Sequence, residues 1–352
     1  MRLFRKRSQP ELDWIQIEIT TKCNAKCIYC PHIFFKKNKN MSLDIFREIV
    51  PYFKNTGLVY LQGWGEPLLN ENIFQMIEFC KMKDKLVGFT TNGLLLNEKT
   101  MSTLIDLKLD ILCVSLAGTT SATHNRLRKG NNFDQIISNL TLLRQLKKKK
   151  GESKPALHLA YLMIKSNFDE MRNIISLTRT LNAKQVIASN LTLIFNKDLR
   201  REALFNDISN SEYYSTVLKQ IKEEALIEDI IFDYRNPVLD DSFQPCSENT
   251  NYSSVIDVEG NVCLCVFTMP SLHRDIECSD SKTPFHYFKD EVCTGYNIHF
   301  GNIIYESFDE IWKKKRYTDF RNFTSKPSKI ANNSSRSDLV ECCAKCYKSL
   351  SV

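Results

Sequence analysis

Short β-type runs alternate with helical patterns through the first half of this chain, and that rhythm limits its folding more than any other feature. WIQIEIT (14–20) alternates apolar and polar residues as a half-buried strand does. LVYLQG (58–63), LVGFTTNG with Leu86 (86–93), DILCVSLAG (110–118), ALHLAYLMI (156–164) and KQVIAS (184–189) read as further strands. Between them lie helical patterns at 41–53, 71–83, 98–109, 132–149 and 168–181, the first with Ser42 placed as an N-cap. Such β/α repeats imply a parallel sheet with right-handed crossovers. Repeats of this length suit a full or partial barrel, which carries its chemistry at the C-terminal ends of the strands.

The unusual residues fall at those ends. The stretch TTKCNAKCIYCPH (20–32) follows the first strand, GWGEP (63–67) the second, TTNG (90–93) closes the third, and Ser115 ends the fourth. After about residue 190 the rhythm fades, and residues 197–226 look helical and polar. Cysteines then become dense: Cys246, Cys263, Cys265, Cys278, Cys293, Cys342, Cys343 and Cys346. The expected organisation is a basic segment (1–13), a barrel with linking helices (14–230) and a small cysteine-rich domain (231–352). The stretch 325–338 reads as a loop.

Composition narrows the chemistry. No apolar run approaches the ~20 residues needed to span a bilayer. The basic N-terminus lacks the apolar core of ~7–15 residues that a signal peptide carries. The expected location is the cytoplasm, with no membrane partner. Thirteen cysteines in a reducing compartment are poorly explained by disulfides. Clustered, they read first as ligands of a metal or an iron–sulfur cluster. Cys80 and Cys113 stand alone in apolar surroundings and read as small buried hydrophobes. The net charge of +7, from 48 basic and 41 acidic side chains, is scattered in patches at 36–39, 147–150 and 313–316. That distribution argues against nucleic acid as a partner.

Cys23, Cys27 and Cys30 form C-x3-C-x2-C. A cubane usually takes four thiolates. With three close by, one iron is left open to a small molecule. The spacing differs from the C-x2-C pairs of zinc fingers, although a structural zinc site is the alternative. Tyr29 is placed to shield the group from solvent.

The triplet after strand 1, with GWGEP after strand 2, resembles the radical S-adenosylmethionine (SAM) superfamily over residues 14 to about 190. The resemblance implies a partial (β/α)6 TIM-type barrel of the radical SAM kind, followed by a small cysteine-rich cluster-binding domain. It implies that Cys23, Cys27 and Cys30 bind three irons of a [4Fe–4S] cluster, and that SAM chelates the fourth. An electron from the cluster then cleaves SAM to methionine and a 5′-deoxyadenosyl radical, which abstracts a substrate hydrogen. Gly63 and Gly65 would let the backbone approach the methionyl ammonium closely, and Glu66 would add charge or brace the loop. Trp64 departs from the commoner double glycine. Asn92 would reach the nucleoside, Ser115 the ribose, and Arg128 the SAM carboxylate, a two-pronged fit. Capping or surface roles are the alternative for these three, and His124 reads as a surface histidine.

The C-terminal cysteines are similar to the SPASM/twitch extension of the same superfamily. C-x13-G-x4-C from Cys246 through Gly260 to Cys265, with Cys343-x2-Cys346, implies an auxiliary [4Fe–4S] cluster on Cys246, Cys265, Cys343 and Cys346. Cys263 or Cys342 are substitutes, Cys278 and Cys293 a further site, and a four-thiolate zinc staple the alternative. Six residues follow Cys346, which suggests a shortened extension with one auxiliary cluster.

The function expected is reductive cleavage of SAM and hydrogen abstraction, with peptide or protein maturation favoured as the task. Small-molecule dehydrogenation of a sugar or alcohol, RNA modification and a non-catalytic iron–sulfur or zinc scaffold are the alternatives. The partners implied are an electron donor such as flavodoxin or ferredoxin and a peptide or small-molecule substrate. No residue stands out as the catalytic acid, base or nucleophile.

Overall fold

The computed structural model describes residues 12–35, 37–240, 246, 248–270, 272, 285–325 and 338–352. Cys278, residues 1–11 of the basic segment and 326–337 of the expected loop lie outside that set.

All six expected strands form: β1 (Leu12–Ile17), β2 (Thr56–Tyr60), β3 (Leu86–Thr91), β4 (Ile111–Leu116), β5 (Ala156–Met163) and β6 (Gln185–Asn190). They pair in chain order, every pair parallel. The β/α rhythm runs one repeat further than the sequence suggests. The helix Ser211–Ile227 crosses over and delivers β7 (Ile231–Tyr234), which pairs parallel with β6. With four residues, β7 is too short to show a period in the sequence. The sheet therefore does not stop at residue 230. It also grows at its other edge, where β8 (Ser253–Ile256) pairs parallel with β1. The antiparallel strands β9 (Asn261–Cys263) and β12 (His299–Asn302) follow outward from β8. A separate hairpin, β10 (Phe285–Phe288) with β11 (Glu291–Thr294), makes a two-stranded sheet. The C-terminal region is thus built partly as an extension of the barrel sheet.

Local chemistry explains the elements. Ser42 Oγ accepts from Ile45 N at 3.2 Å and starts the helix Leu43–Ile49. Asn132 caps the helix Phe133–Lys150 in the same way. Gly151, at φ +66°, ends that helix in the left-handed region. Four lysines fill its last turn, where cations suit the negative helix end. No helix among the described residues is long and apolar enough to cross a membrane.

The two faces of the sheet differ. In β5, Leu157, Leu159, Tyr161 and Met163 are buried, while the alternate Ala156, His158, Ala160 and Leu162 are half-exposed. The buried set joins Val59, Val87, Phe89, Leu112, Val114 and Val186 in the main core. Register places Gln16 beside Tyr60, and Thr90 in one row with Cys113, His158 and Gln185, on the opposite face. That inner wall is polar.

Candidate functional site: two thiol groups on one rim

The cysteine loop after β1 is held by backbone before any ligand is considered. Lys26 and Cys27 pair antiparallel with Lys129 and Arg128, and Ile28 N donates to Leu127 O at 3.0 Å. Cys30 N donates to Cys27 O at 3.1 Å, and Cys30 precedes a short turn, Pro31–Phe34. His32 Nε2 lies 2.7 Å from Thr21 O and ties that turn back to the loop's start. The ladder thereby sets Arg128 directly against Cys27.

The three thiols sit together. Burial pushes the Cys23 thiol up to about 11 and the Cys30 thiol up to about 12, and each also feels Cys27. Arg128 is buried among them and donates to the Tyr29 hydroxyl at 2.9 Å. Its Nε has no hydrogen-bond partner among the described residues. Burial pulls the guanidinium down, but Tyr29, Cys27 and Cys23 more than offset this and hold it above its ordinary value. A buried cation beside three thiols is suited to balance an anionic iron–sulfur group.

Glu66 organises the loop beside them. Its carboxylate accepts from Thr91 Oγ1 at 2.7 Å, Asn92 N at 2.7 Å and Leu68 N at 3.3 Å, and its own N donates to Lys22 O at 2.7 Å. Burial pushes the Glu66 carboxyl up, against the pull of those donors. Bracing is therefore the part of the Glu66 expectation that the contacts support. Asn92 is fully engaged: its Nδ2 donates to Asn24 Oδ1 at 2.7 Å, and its Oδ1 accepts from Leu94 N at 3.0 Å. Asn92 thus reaches the cysteine loop through Asn24.

The glycines of GWGEP have a reason the sequence does not show. A Cβ on Gly63 would lie 2.2 Å from Glu18 Cγ, and one on Gly65 would lie 2.4 Å from Thr20 O. Both glycines let this loop press against the chain leading into the cysteines. Trp64 turns the other way. Its backbone N donates to Glu18 Oε1 at 3.0 Å, its Nε1 donates to Val266 O at 3.2 Å, and its ring stacks on Phe267.

Two expectations are corrected. His124 is no surface residue: it is 0% exposed. Burial, then the neighbouring Arg128, lowers its pKa to about 3, so the ring is neutral. Its Nδ1 accepts from Ala117 N at 3.4 Å, which places the proton on Nε2. On the helix Ser121–Leu127, His124 and Leu127 are the buried positions. Cys113 is buried as expected, yet it lies in the polar inner wall and not in the apolar core. Tyr60 and Thr90 both hydrogen-bond near it.

That wall was missed by sequence reasoning. Tyr60 OH lies 2.9 Å from Thr90 Oγ1, which donates to Gln62 Oε1 at 2.7 Å, and Gln16 Nε2 donates to Gln62 O at 3.0 Å. Ser115 stands half-exposed on the same face, in register with Ala160. The readable signal was period two: these are the strand positions between the apolar ones.

The second thiol group is assembled from distant segments. Cys265 lies near Cys346, Cys246 and Cys343, and burial first, then these neighbours, pushes its thiol well up. Burial also raises Cys246 to about 11 and Cys346 to about 12. Ser349 Oγ bonds the carbonyls of Cys343 and Cys346 at 2.8 and 2.6 Å, which folds the terminal pair into a tight turn. Lys348 and Glu248 form an ion pair beside these cysteines, both largely buried. Cys263 points its thiol at Asn261 O, 3.4 Å away, and packs with Val255 and Met269. Cys342 Sγ lies 3.9 Å from Cys343 Sγ, and Cys293 is buried near Lys345 and Glu341.

Among the described residues no cysteine is joined to another by a disulfide. Among the described residues no three His, Cys, Asp or Glu side chains are grouped for a single metal ion. A cubane asks for a wider arrangement, because each thiolate holds its own iron. Two all-thiol groups, each with a buried cation at its side, fit iron–sulfur clusters.

Comparison with known proteins agrees with this geometry. Residues 17–178 match the profile of the radical SAM superfamily, and residues 246–347 match that of an iron–sulfur cluster-binding domain, SPASM. A tungsten-containing aldehyde ferredoxin oxidoreductase cofactor-modifying protein of Pyrococcus furiosus is 21% identical over 318 residues, covering 89% of this chain and 84% of that protein. The fold is similar to Streptococcus suis SuiB bound to its precursor peptide SuiA, with TM-score 0.62, 13% identity, and 97% of this chain and 71% of that one covered. It is similar also to anSMEcpe bound to AdoMet and the Cp18Cys peptide, with TM-score 0.60, 17% identity, and 95% and 88% covered.

Proposed function

Residues 17–178 of this chain belong to the radical SAM superfamily and residues 246–347 to the SPASM domains, and from that premise we propose that the protein abstracts a hydrogen atom from a peptide or protein. The chain is an enzyme with a SAM-binding [4Fe–4S] cluster and auxiliary iron–sulfur binding. When bound, the first cluster supplies the electron that cleaves SAM to a 5′-deoxyadenosyl radical. In this reading Cys23, Cys27 and Cys30 hold that cluster. Arg128 offsets its negative charge from within the protein, and Tyr29 closes one side.

Gly63, Gly65 and Glu66 keep the neighbouring loop against the cysteine segment, and Asn92 ties strand β3 to it. In the same reading Ser115, on the inner wall, would meet the SAM ribose. Cys246, Cys265, Cys343 and Cys346 hold the auxiliary cluster within residues 231–352. An electron donor of the flavodoxin or ferredoxin kind would reduce the first cluster, and the net reaction would be oxidative.

The observation that carries the reading is the knitting of three loops into one rim: Cys27 against Arg128, Asn24 against Asn92, and Glu66 against Lys22. Support for a peptide substrate comes from the inner wall. Gln16, Tyr60, Gln62, Thr90 and Ser115 are neutral hydrogen-bonding groups, which match amides and hydroxyls better than phosphates. SuiB and anSMEcpe, similar in fold, are bound to peptides. A second reading, modification of a cofactor, is favoured by the name of the Pyrococcus relative, which spans most of this chain.

The test is anaerobic. Loaded protein is expected to hold about eight irons and, once reduced, to release 5′-deoxyadenosine from SAM. Cys27→Ala should keep about four irons and release none; cleavage by that variant would refute the assignment. Deuterium transfer from a labelled peptide pool into 5′-deoxyadenosine separates the peptide reading from the cofactor reading.

A further inference from the structure

The Gly63–Glu66 loop touches the segments that carry both thiol groups. On one side Gly65 is pressed against Thr20 O and Lys22 O, and Glu66 N bonds Lys22 O, next to Cys23. On the other side Trp64 Nε1 bonds Val266 O at 3.2 Å, and the indole stacks on Phe267 at 6.2 Å between centroids. Val266 follows Cys265 directly. Phe267 in turn carries the Lys348 ammonium over its ring at 4.7 Å, and Lys348 pairs with Glu248 and feels Cys246 and Cys265 nearby. The segment is short and self-braced: Cys265 N and O both meet Thr268 Oγ1, at 3.2 and 3.1 Å. A ligand that fixes Cys265 therefore fixes Val266 and Phe267, and these fix Trp64.

We propose that Trp64 is a positioning residue that couples the two sites, so that filling the C-terminal thiol group raises the affinity for SAM at the first cluster. This rests on the reading above, in which Gly63–Glu66 meets SAM and Cys246, Cys265, Cys343 and Cys346 hold a cluster. Coupling of this kind is a free energy shared between two sites, and it acts in both directions. A small or aliphatic residue at 64 would have neither the reach nor the Nε1 donor for Val266 O. The exposed alternative, a tryptophan left in solvent, is excluded by its packing with Val255, Cys263 and Met269.

The experiment uses full-length protein reconstituted anaerobically. Three quantities are read: iron content, SAM dissociation constant by equilibrium dialysis, and the change that SAM causes in the electron paramagnetic resonance spectrum of the reduced first cluster. Cys343→Ala/Cys346→Ala, which leaves two of the four thiolates, should lose about four irons and bind SAM on the order of tenfold more weakly. Trp64→Ala should keep all its iron and the spectrum of the SAM-free cluster, yet show a similar loss of SAM affinity. Trp64→Phe, which keeps the stacking and loses the donor, should fall between; it also serves if Trp64→Ala does not fold. Adding Trp64→Ala to the cysteine pair should weaken SAM binding no further, since both changes break one path. Unchanged iron in Cys343→Ala/Cys346→Ala would overturn the ligand reading, and the coupling with it. Lost iron with unchanged SAM affinity, or fully additive losses when Trp64→Ala is added, would overturn the coupling alone.

Discussion

Cys23, Cys27 and Cys30 lie within eight consecutive residues, whereas Cys246, Cys265, Cys343 and Cys346 are drawn from three segments across the last third of the chain. The first group is shaped by backbone: a two-residue ladder to Arg128 and Lys129, a short turn, and a carbonyl contact from His32. The second is shaped by side chains that meet over long separations, with Lys348 and Glu248 a hundred residues apart. A locally built site tolerates loss of one distant contact. An assembled site depends on each contact that closes it, because the entropy of bringing its segments together is regained only when all are in place.

The largest test of this contrast is Lys348→Met. It leaves the Glu248 carboxylate buried without its partner, and the expected cost is about 3 kcal/mol of unfolding free energy in urea. Lys348→Met/Glu248→Gln should recover most of that loss. If the single variant costs nothing, the C-terminal group is not held by the buried pair, and the contrast weakens.

Next in size is Glu66→Gln on the other side. The carboxylate accepts from Thr91, Asn92 and Leu68. An amide in its place must turn an N–H toward one of these donors, so a loss of about 2 kcal/mol is expected by the same measurement. A loss as large as that of Lys348→Met would make the two sites equally dependent on single side chains.

The last effect is absent at neutral pH and appears only in acid. His124 is neutral in the folded protein, with a pKa lowered to about 3 from an ordinary 6.5. Between those values the unfolded chain binds the proton and the folded chain does not. Stability should therefore fall as pH drops below 6.5, with the slope ending near 3. His124→Gln should flatten that part of the profile, read as urea midpoint against pH. An unchanged slope would mean that other groups, Asp207 and Glu170 among them, set the acid limit.

How much was legible follows the same division. The six strands were readable because sheet-forming residues alternate with a period of two and helices with 3.6, patterns set by neighbours in sequence. β7 was not, for four residues carry no period. The cysteine triplet was readable from its spacing. The inner wall of Gln16, Tyr60, Gln62, Thr90 and His158 was not, since its members come from separate strands, and only register brings them into rows. His124 was misplaced because a lone histidine carries no mark of whether its helix face is covered.

What the amino-acid sequence determined by itself was the order of elements and the thiol spacing. Those depend on bond geometry and on residues a few positions apart. Tertiary structure alone decided that Arg128 lies against Cys27, that Glu66 braces a loop already tied to the cysteines, and that Trp64 reaches the segment after Cys265. Such pairings depend on which surfaces meet when the sheet closes up, and burial then sets the charge state of each group. No stretch of sequence shorter than the whole sheet contains that information.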